Sequence, residues 1–365
     1  MLLMAKKSIS SLELAALVKE LQFIVKGKIS QIYHQEKKEL FLQLHARGEG
    51  KQLLKIIPGK YLCLSHEKGD SPLRPTGFCM QLRKYLNNAF IKAIEQKDSE
   101  RIVIFELEKQ GDYFLIFELF SKGNIVLTDK DYKIIGSLER QIWKDRTVKQ
   151  GEIYIFPAAG VNWKKMSEKE LAELFQKSDR KNLATCLATE IGLGGLYAEE
   201  ICKRQGIDKN KLPGEVNTKE IKLILQTIKE FIKLVEEPQG FIYENEIAPF
   251  PLEGEEAKEI KKTYNEAIDT IKPFEVISPY DKKIKTIEKT AEQQEEALLS
   301  LQEKIEHNTK KGEVIYEKYA PLQKLLEIVK EMRKSKEWTE VATELKKEKN
   351  IKSVNLKKKT VVIDL

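Results

Sequence analysis

Two stretches of this chain stand out by residue type and spacing, and the first of them suits phosphate. One is Thr189-Glu190-Ile191-Gly192-Leu193-Gly194-Gly195-Leu196-Tyr197, flanked on both sides by helical patterns. In a helix-hairpin-helix turn of this kind, Gly192, Gly194 and Gly195 let backbone amides approach a phosphate at the N-terminus of the next helix. The alternative is a helix C-cap and tight turn with no ligand. A dinucleotide-binding reading of the same glycines is poor, because a helix precedes them instead of a strand. The other stretch, Arg74 to Leu86, reads as a short cationic helix. Pro75 suits its first turn, Phe78, Leu82 and Leu86 recur at i, i+4 and i+8, and Arg83 and Lys84 project beside that apolar row.

Covalent and metal chemistry lack the groups they need. Cys63, Cys79, Cys186 and Cys202 are far apart and never form a C-x-x-C, and His34, His45, His66 and His307 are equally scattered. Cys79 and Cys202 lie among apolar helical residues, where a free cysteine acts as a small core hydrophobe. No G-x-S-x-G, P-loop or H-E-x-x-H is present. The expectation is a protein that is not an enzyme and has no catalytic residue, metal or cofactor. Met1 to Lys7 is too short an apolar run for a signal peptide or membrane span, so a cytoplasmic protein with no membrane partner is expected. A charged share of 33%, a hydrophobic share of 41% and a net charge of +7 fit globular domains joined to a solvated helical section. The basic excess is compatible with a polyanionic partner, though many intracellular proteins carry one.

The elements around these stretches follow from periodicity. An amphipathic helix is expected over 9–26, capped by Ser8 or Ser10. Strand-like runs follow at 28–33, 40–44, 52–57 and 61–64, then the cationic helix, then strands at 102–107, 113–120, 125–127 and 133–135. Lys122-Gly123-Asn124 reads as a turn in which Gly and Asn take positive φ. This pattern indicates an α+β domain with a mainly antiparallel sheet, over residues 1–160. A helix-hairpin-helix domain is expected at 161–240, with helical periods at 168–176, 180–190, 196–205 and 218–235. Residues 241–280, with five prolines between 238 and 279, read as an extended connection with one helical piece at 255–268. Ile284, Ile287, Ala291, Gln294, Leu298, Leu301, Ile305 and Asn308 form an a/d seam, so a coiled-coil middle is expected at 281–346. Gly312 weakens that helix and Pro321 should kink or restart it. A basic tail, 347–365, closes the chain with two strand-like pieces around a Lys triplet.

The segment Arg74-Pro75-Thr76-Gly77-Phe78-Cys79-Met80-Gln81-Leu82-Arg83-Lys84, followed by Glu118-Leu119-Phe120-Ser121-Lys122-Gly123-Asn124, resembles the N-terminal domain of the NFACT family. These are ribosome quality-control factors once known as fibronectin-binding protein A. Ser10-Ser11-Leu12-Glu13, Asp145-Arg146-Thr147-Val148 and Trp338-Thr339-Glu340-Val341 match further family segments in register. The resemblance implies a formamidopyrimidine-DNA glycosylase-like N-domain. The proline nucleophile and four-cysteine finger of those glycosylases are missing here. It also carries over an acidic-plus-arginine set. Where family members have an aspartate in the opening helix and an Asp-Arg pair at a strand start, this chain has Glu13 and Glu100-Arg101, with Asp98 as a counterpart under a two-residue slip.

By that resemblance the expected partners are the large ribosomal subunit and tRNA, usually alanyl-tRNA, recruited for template-free C-terminal tailing of a stalled chain. Glu13, Glu100 and Arg101 would engage tRNA, with Arg83 and Lys84 as backbone contacts and Gly192, Gly194 and Gly195 cradling phosphate. In full-length members an RNA-binding domain starts about where this chain stops. The expectation is an engineered fragment or half of a split gene, with a separately encoded RNA-binding domain as a further partner. The rival classes are a nucleic-acid-binding module or enzyme on the glycosylase-like fold, and a surface adhesin.

Overall fold

The computed structural model describes residues 6, 8–35, 39–67, 74–143, 145–272, 279–348, 350–355, 357–358 and 360–363. It comprises two compact units, 1–276 and 277–365. The first opens with α1 (Ser11–Glu20), which passes into a 3-10 turn at Leu21–Ile24. Strands β1 (Lys28–Gln35), β2 (Glu39–Ala46), β3 (Gly50–Ile57) and β4 (Tyr61–Leu64) follow, then α2 (Gly77–Leu86). Next come β5 (Phe90–Gln96), β6 (Ile102–Glu108), β7 (Asp112–Glu118), β8 (Asn124–Asp129) and β9 (Ile134–Ser137). These nine strands form one antiparallel sheet in the order β4-β3-β2-β1-β5-β6-β7-β8-β9. The fold class is α+β, as the alternation of helix and hairpins predicts.

The sheet curls, since α2 packs on both β1 and β9, which lie five places apart in the strand order. Gly136 permits that closure: Gln81 donates to the Ile135 carbonyl at 2.7 Å, and a Cβ on Gly136 would stand 2.0 Å from the Gln81 side chain. Inside the curl lies the main core, with Leu12, Leu17, Ile32, Leu42, Leu82, Phe105 and Phe117 fully buried. The other sheet face carries a smaller cluster of Ile102, Ile116, Val126, Ile134, Val148 and Tyr154. It is covered in part by a small hairpin of β10 (Gln141–Ile142) and β11 (Thr147–Val148). The Lys122 turn differs from expectation. Positive φ falls on Ser121 and Gly123, while Asn124 begins β8 fully buried.

Helices α3 (Glu168–Lys177), α4 (Leu183–Thr189), α5 (Gly195–Gln205) and α6 (Thr218–Leu234) match the four helical periods. The proline-bearing stretch is not an extended connection. It folds into β12 (Gly240–Ile242), β13 (Ile247–Ala248) and β14 (Glu259–Lys261), then α7 (Tyr264–Ile271), which packs on α1 and β4. Its buried Tyr243, Phe250, Leu252 and Tyr264 supply the apolar surface that an extended linker lacks. All four cysteines are free and buried.

The second unit holds α8 (Pro279–Glu317), α9 (Tyr319–Ser335), α10 (Trp338–Leu345) and a hairpin of β15 (Ile351–Asn355) and β16 (Thr360–Ile363). The break comes at Lys318, and Pro321 sits in the first turn of α9, where its missing N–H forfeits no intrahelical bond. α8 runs through Gly312. Ile287, Leu298, Leu301 and Ile305 are between 57% and 66% exposed, so among the described residues the heptad seam has its helix but no partner helix. Ile284 of that seam is in α8, but its side chain lies outside the described residues.

Candidate nucleic-acid interface

Two helices begin at the same place. α1 starts at Ser11 because Ser10 and Glu13 form a capping box, with the Glu13 amide donating to Ser10 Oγ (3.2 Å) and the Ser10 amide to Glu13 Oε2 (2.8 Å). α5 starts after Gly194, whose φ of +88° suits glycine and whose Cβ position is 3.1 Å from Ser10 Cβ. The hairpin turn is thereby pressed onto the start of α1. Ser11 Oγ locks the contact, donating to the Gly192 carbonyl at 2.8 Å and accepting from Trp163 Nε1 at 3.0 Å. No side chain caps α5, so its first amides point outward with the positive end of the helix dipole.

Both N-termini open onto one cleft of about 530 Å³, lined by Lys6, Ser8, Glu13, Arg101, Gly192, Gly194, Gly195, Tyr197 and Glu246. Three chain-distant predictions meet here: Glu13, Arg101 and the glycine turn. They play different parts. Arg101 immediately precedes β6 and is half-buried; its Nη1 donates to Ser8 Oγ (2.9 Å) and to the Ile9 carbonyl (3.3 Å). Burial pulls its pKa down, with the Glu100 charge opposing, yet a guanidinium stays protonated. Among the described residues it has no carboxylate partner and no bond from Nε or Nη2, so a cationic edge is available to a ligand in the cleft.

Glu13 is scaffold. Its side chain is fully enclosed, and Lys6 Nζ, Tyr197 OH (3.0 Å) and Tyr264 OH (2.9 Å) all donate to Oε1. Direct contact between this carboxylate and RNA is therefore excluded by enclosure, and the expectation of such a contact is corrected to a positioning role. Burial alone would raise its pKa, but Lys6 and the hydrogen bonds prevail and hold it below the usual carboxylate range. Burial and the Glu13 charge push both phenols well above theirs, so they remain donors. Glu246, at the cleft rim and 4.0 Å from Lys6, is shifted upward by burial.

Glu100 does not line the cleft. Its Oε1 accepts from the Gly160 amide at 2.8 Å, tethering the segment that leads to α3. Asp98 sits in the β5–β6 turn with φ +50°, beside Lys97 and Asn162. Arg83 and Lys84 are elsewhere, on α2. Arg83 Nε donates to the Ile32 carbonyl (2.8 Å), and Lys84 is exposed over the Tyr85 ring. Lys6, Tyr197, Tyr264 and Glu246 were not singled out from sequence. Tyr197 alone had a local cue, its place just after the glycine turn.

A family model described as NFACT N-terminal and middle domains matches residues 10–363. An archaeal Rqc2 homolog, aRqcH, from Methanocaldococcus jannaschii is 30% identical over 92% of this chain, and the alignment covers 54% of that relative. Ribosome quality control complex subunit 2 of Saccharomyces cerevisiae is 30% identical over 41% of this chain and 14% of its own length. The chain thus spans about half or less of these relatives. Among solved structures, the N-terminal part of the fibronectin/fibrinogen-binding protein of Streptococcus suis covers 73% of this chain and 100% of its own at TM-score 0.60 and 22% identity, a likeness of fold.

Proposed function

The chain belongs to the NFACT family, and on that premise we propose that it acts in ribosome quality control, as a binding protein with no chemistry of its own. In this reading it engages the large ribosomal subunit that carries a stalled peptidyl-tRNA and recruits tRNA, alanyl-tRNA first, for template-free tailing. Peptide-bond formation is left to the ribosome. The relatives named for this process motivate the reading. The observation that carries the tRNA part is the cleft where Arg101 and the uncapped start of α5 face the same space. A planar guanidinium beside free backbone amides is a fitting receptor for an RNA phosphate. Glu13, with Lys6, Tyr197 and Tyr264, acts one step removed by fixing the two helix starts against each other.

The test is equilibrium binding of the whole chain to tRNA across a salt series, with and without duplex DNA as competitor. Phosphate contacts release counterions, so affinity should fall by orders of magnitude between low and moderate salt, and Arg101→Ala should weaken it with the melting profile retained. Salt-independent binding, or duplex DNA displacing tRNA at equal concentration, would overturn the reading.

A further inference from the structure

A second cavity lies at the same end of the sheet as the cleft but on the opposite face. Arg101 and Ile102 are neighbours, and successive residues of a strand point to opposite faces. Arg101 looks into the cleft, while Ile102 pairs with Glu118 and both face the smaller cluster. There, Phe120, Lys122, Gln141, Ile142 and Trp143 join Glu118 around a cavity of about 350 Å³. That volume is at the lower end of the roughly 300–1,000 Å³ of small-ligand sites.

Its walls are built and held. Arg146 Nη1 donates to Glu118 Oε1 at 2.7 Å, Arg146 Nη2 to Oε2 at 3.4 Å, and Tyr154 OH to Oε1 at 2.8 Å. The Glu118 side chain is only 2% exposed. The same guanidinium sits 4.2 Å from the Trp143 ring centroid and 5.8 Å from that of Phe120, backing the indole with a fixed cation. Asn124, fully buried, donates to Gln141 Oε1 at 3.0 Å and fixes that amide. Trp143 is nonetheless 40% exposed and Ile142 64% exposed. A large aromatic is thus left partly open beside a buried ion pair, on a short hairpin.

We propose that this cavity takes one unpaired nucleobase of single-stranded RNA, stacked on Trp143. The half-buried Gln141 amide meets the polar edge of the base, while Glu118, enclosed by Arg146 and Tyr154, holds the wall behind it. The chemistry is that of single-strand recognition, in which splayed bases stack on aromatic side chains and are read at their edges. Its position gives continuity: the cavity and the cleft lie at the same end of β6 and β7, on opposite faces of the sheet. The inference rests on the RNA-binding reading above and adds to it a site no relative's name implies.

The experiment follows the tryptophan emission of the whole chain during titration with a mixed-sequence hexaribonucleotide, and with the same sequence as a duplex. Trp163 is buried but Trp338 is half-buried, so the quenching that reports on Trp143 is the part lost in Trp143→Ala. Stacking of one base is worth about 1–3 kcal/mol, so Trp143→Ala should weaken hexamer binding by roughly 5- to 150-fold. Trp143→Phe should retain most of the affinity, and the duplex should leave emission unchanged. Gln141→Ala, which leaves the indole in place, should weaken binding several-fold and serves if Trp143→Ala misfolds. A chain that binds tRNA but whose Trp143→Ala variant binds the hexamer equally, or is quenched equally, overturns this site alone. A wild type that binds neither RNA overturns both readings.

Discussion

Replacing Glu13 by Gln changes one atom at the junction of three elements, and its effect can be worked from the geometry. In the wild type, Lys6 and two phenols donate to Oε1 while the Ser10 amide donates to Oε2. An amide supplies one acceptor oxygen and one NH₂ donor, so at least one donor is left facing another donor. It also leaves Lys6, 18% exposed, with the more distant Glu246 carboxylate at 4.0 Å in place of the enclosed charge it had. Removing one partner from a buried pair costs about 3–5 kcal/mol. At ~2–4 °C per kcal/mol for a unit of this size, the melting temperature should fall by roughly 6–20 °C. The pH dependence gives a second check. Because the folded-state pKa of Glu13 is lowered, its contribution is fully present above the usual carboxylate range and is lost as pH falls through the depressed value. Glu246 and Glu20, both shifted upward, act with opposite sign as pH falls, but do so in wild type and variant alike. The gap between wild type and Glu13→Gln, read by near-ultraviolet circular dichroism melts, should therefore be largest near neutrality and close in acid. A variant that melts within about 2 °C of wild type at pH 7, or a gap that widens in acid, would refute the assignment of Glu13 as a charged keystone.

Other outcomes follow from the same geometry. Gly194→Ala, at φ +88° and against Ser10, should destabilise the chain by about 1–3 kcal/mol in urea melts and weaken tRNA binding beyond what stability explains. Arg101→Lys should keep the melting temperature within a few degrees yet reduce tRNA affinity, because lysine cannot reproduce the fork; equal affinity would show that only charge matters. Glu118→Gln should lower stability by about 3 kcal/mol, since Arg146 is 6% exposed and would lose its counter-charge; an unchanged melt would contradict the buried pair.

Local signals were legible in the sequence. Ser10 is one of the two caps expected for the opening helix, the four helical periods past Ser167 appear within a few residues of their expected bounds, and the glycine turn stands before α5 with Gly192 and Gly194 at positive φ. β5 escaped notice because a bulge between Ile91 and Ala93 breaks the two-residue alternation that marks a strand. β12 to β14 are two or three residues long, too short for any period to show. The cleft was half legible. Arg101 and the glycines came from resemblance and motif, but the roles of the acids did not. Whether Glu13 touches RNA or is enclosed depends on Tyr197 and Tyr264, 184 and 251 residues away, and no local pattern reports such distant packing. Glu100, adjacent to Arg101, points elsewhere because its carboxylate is held by the Gly160 amide.

The central claim is most directly tested by co-sedimentation of the whole chain with purified large ribosomal subunits, either empty or carrying peptidyl-tRNA. The account predicts that the chain pellets preferentially with the peptidyl-tRNA-bearing subunits, that added tRNA pellets with it, and that Arg101→Ala retains the subunit but loses the added tRNA. A chain that stays in the supernatant with both kinds of subunit, or an Arg101→Ala variant that carries tRNA as well as wild type does, would contradict it.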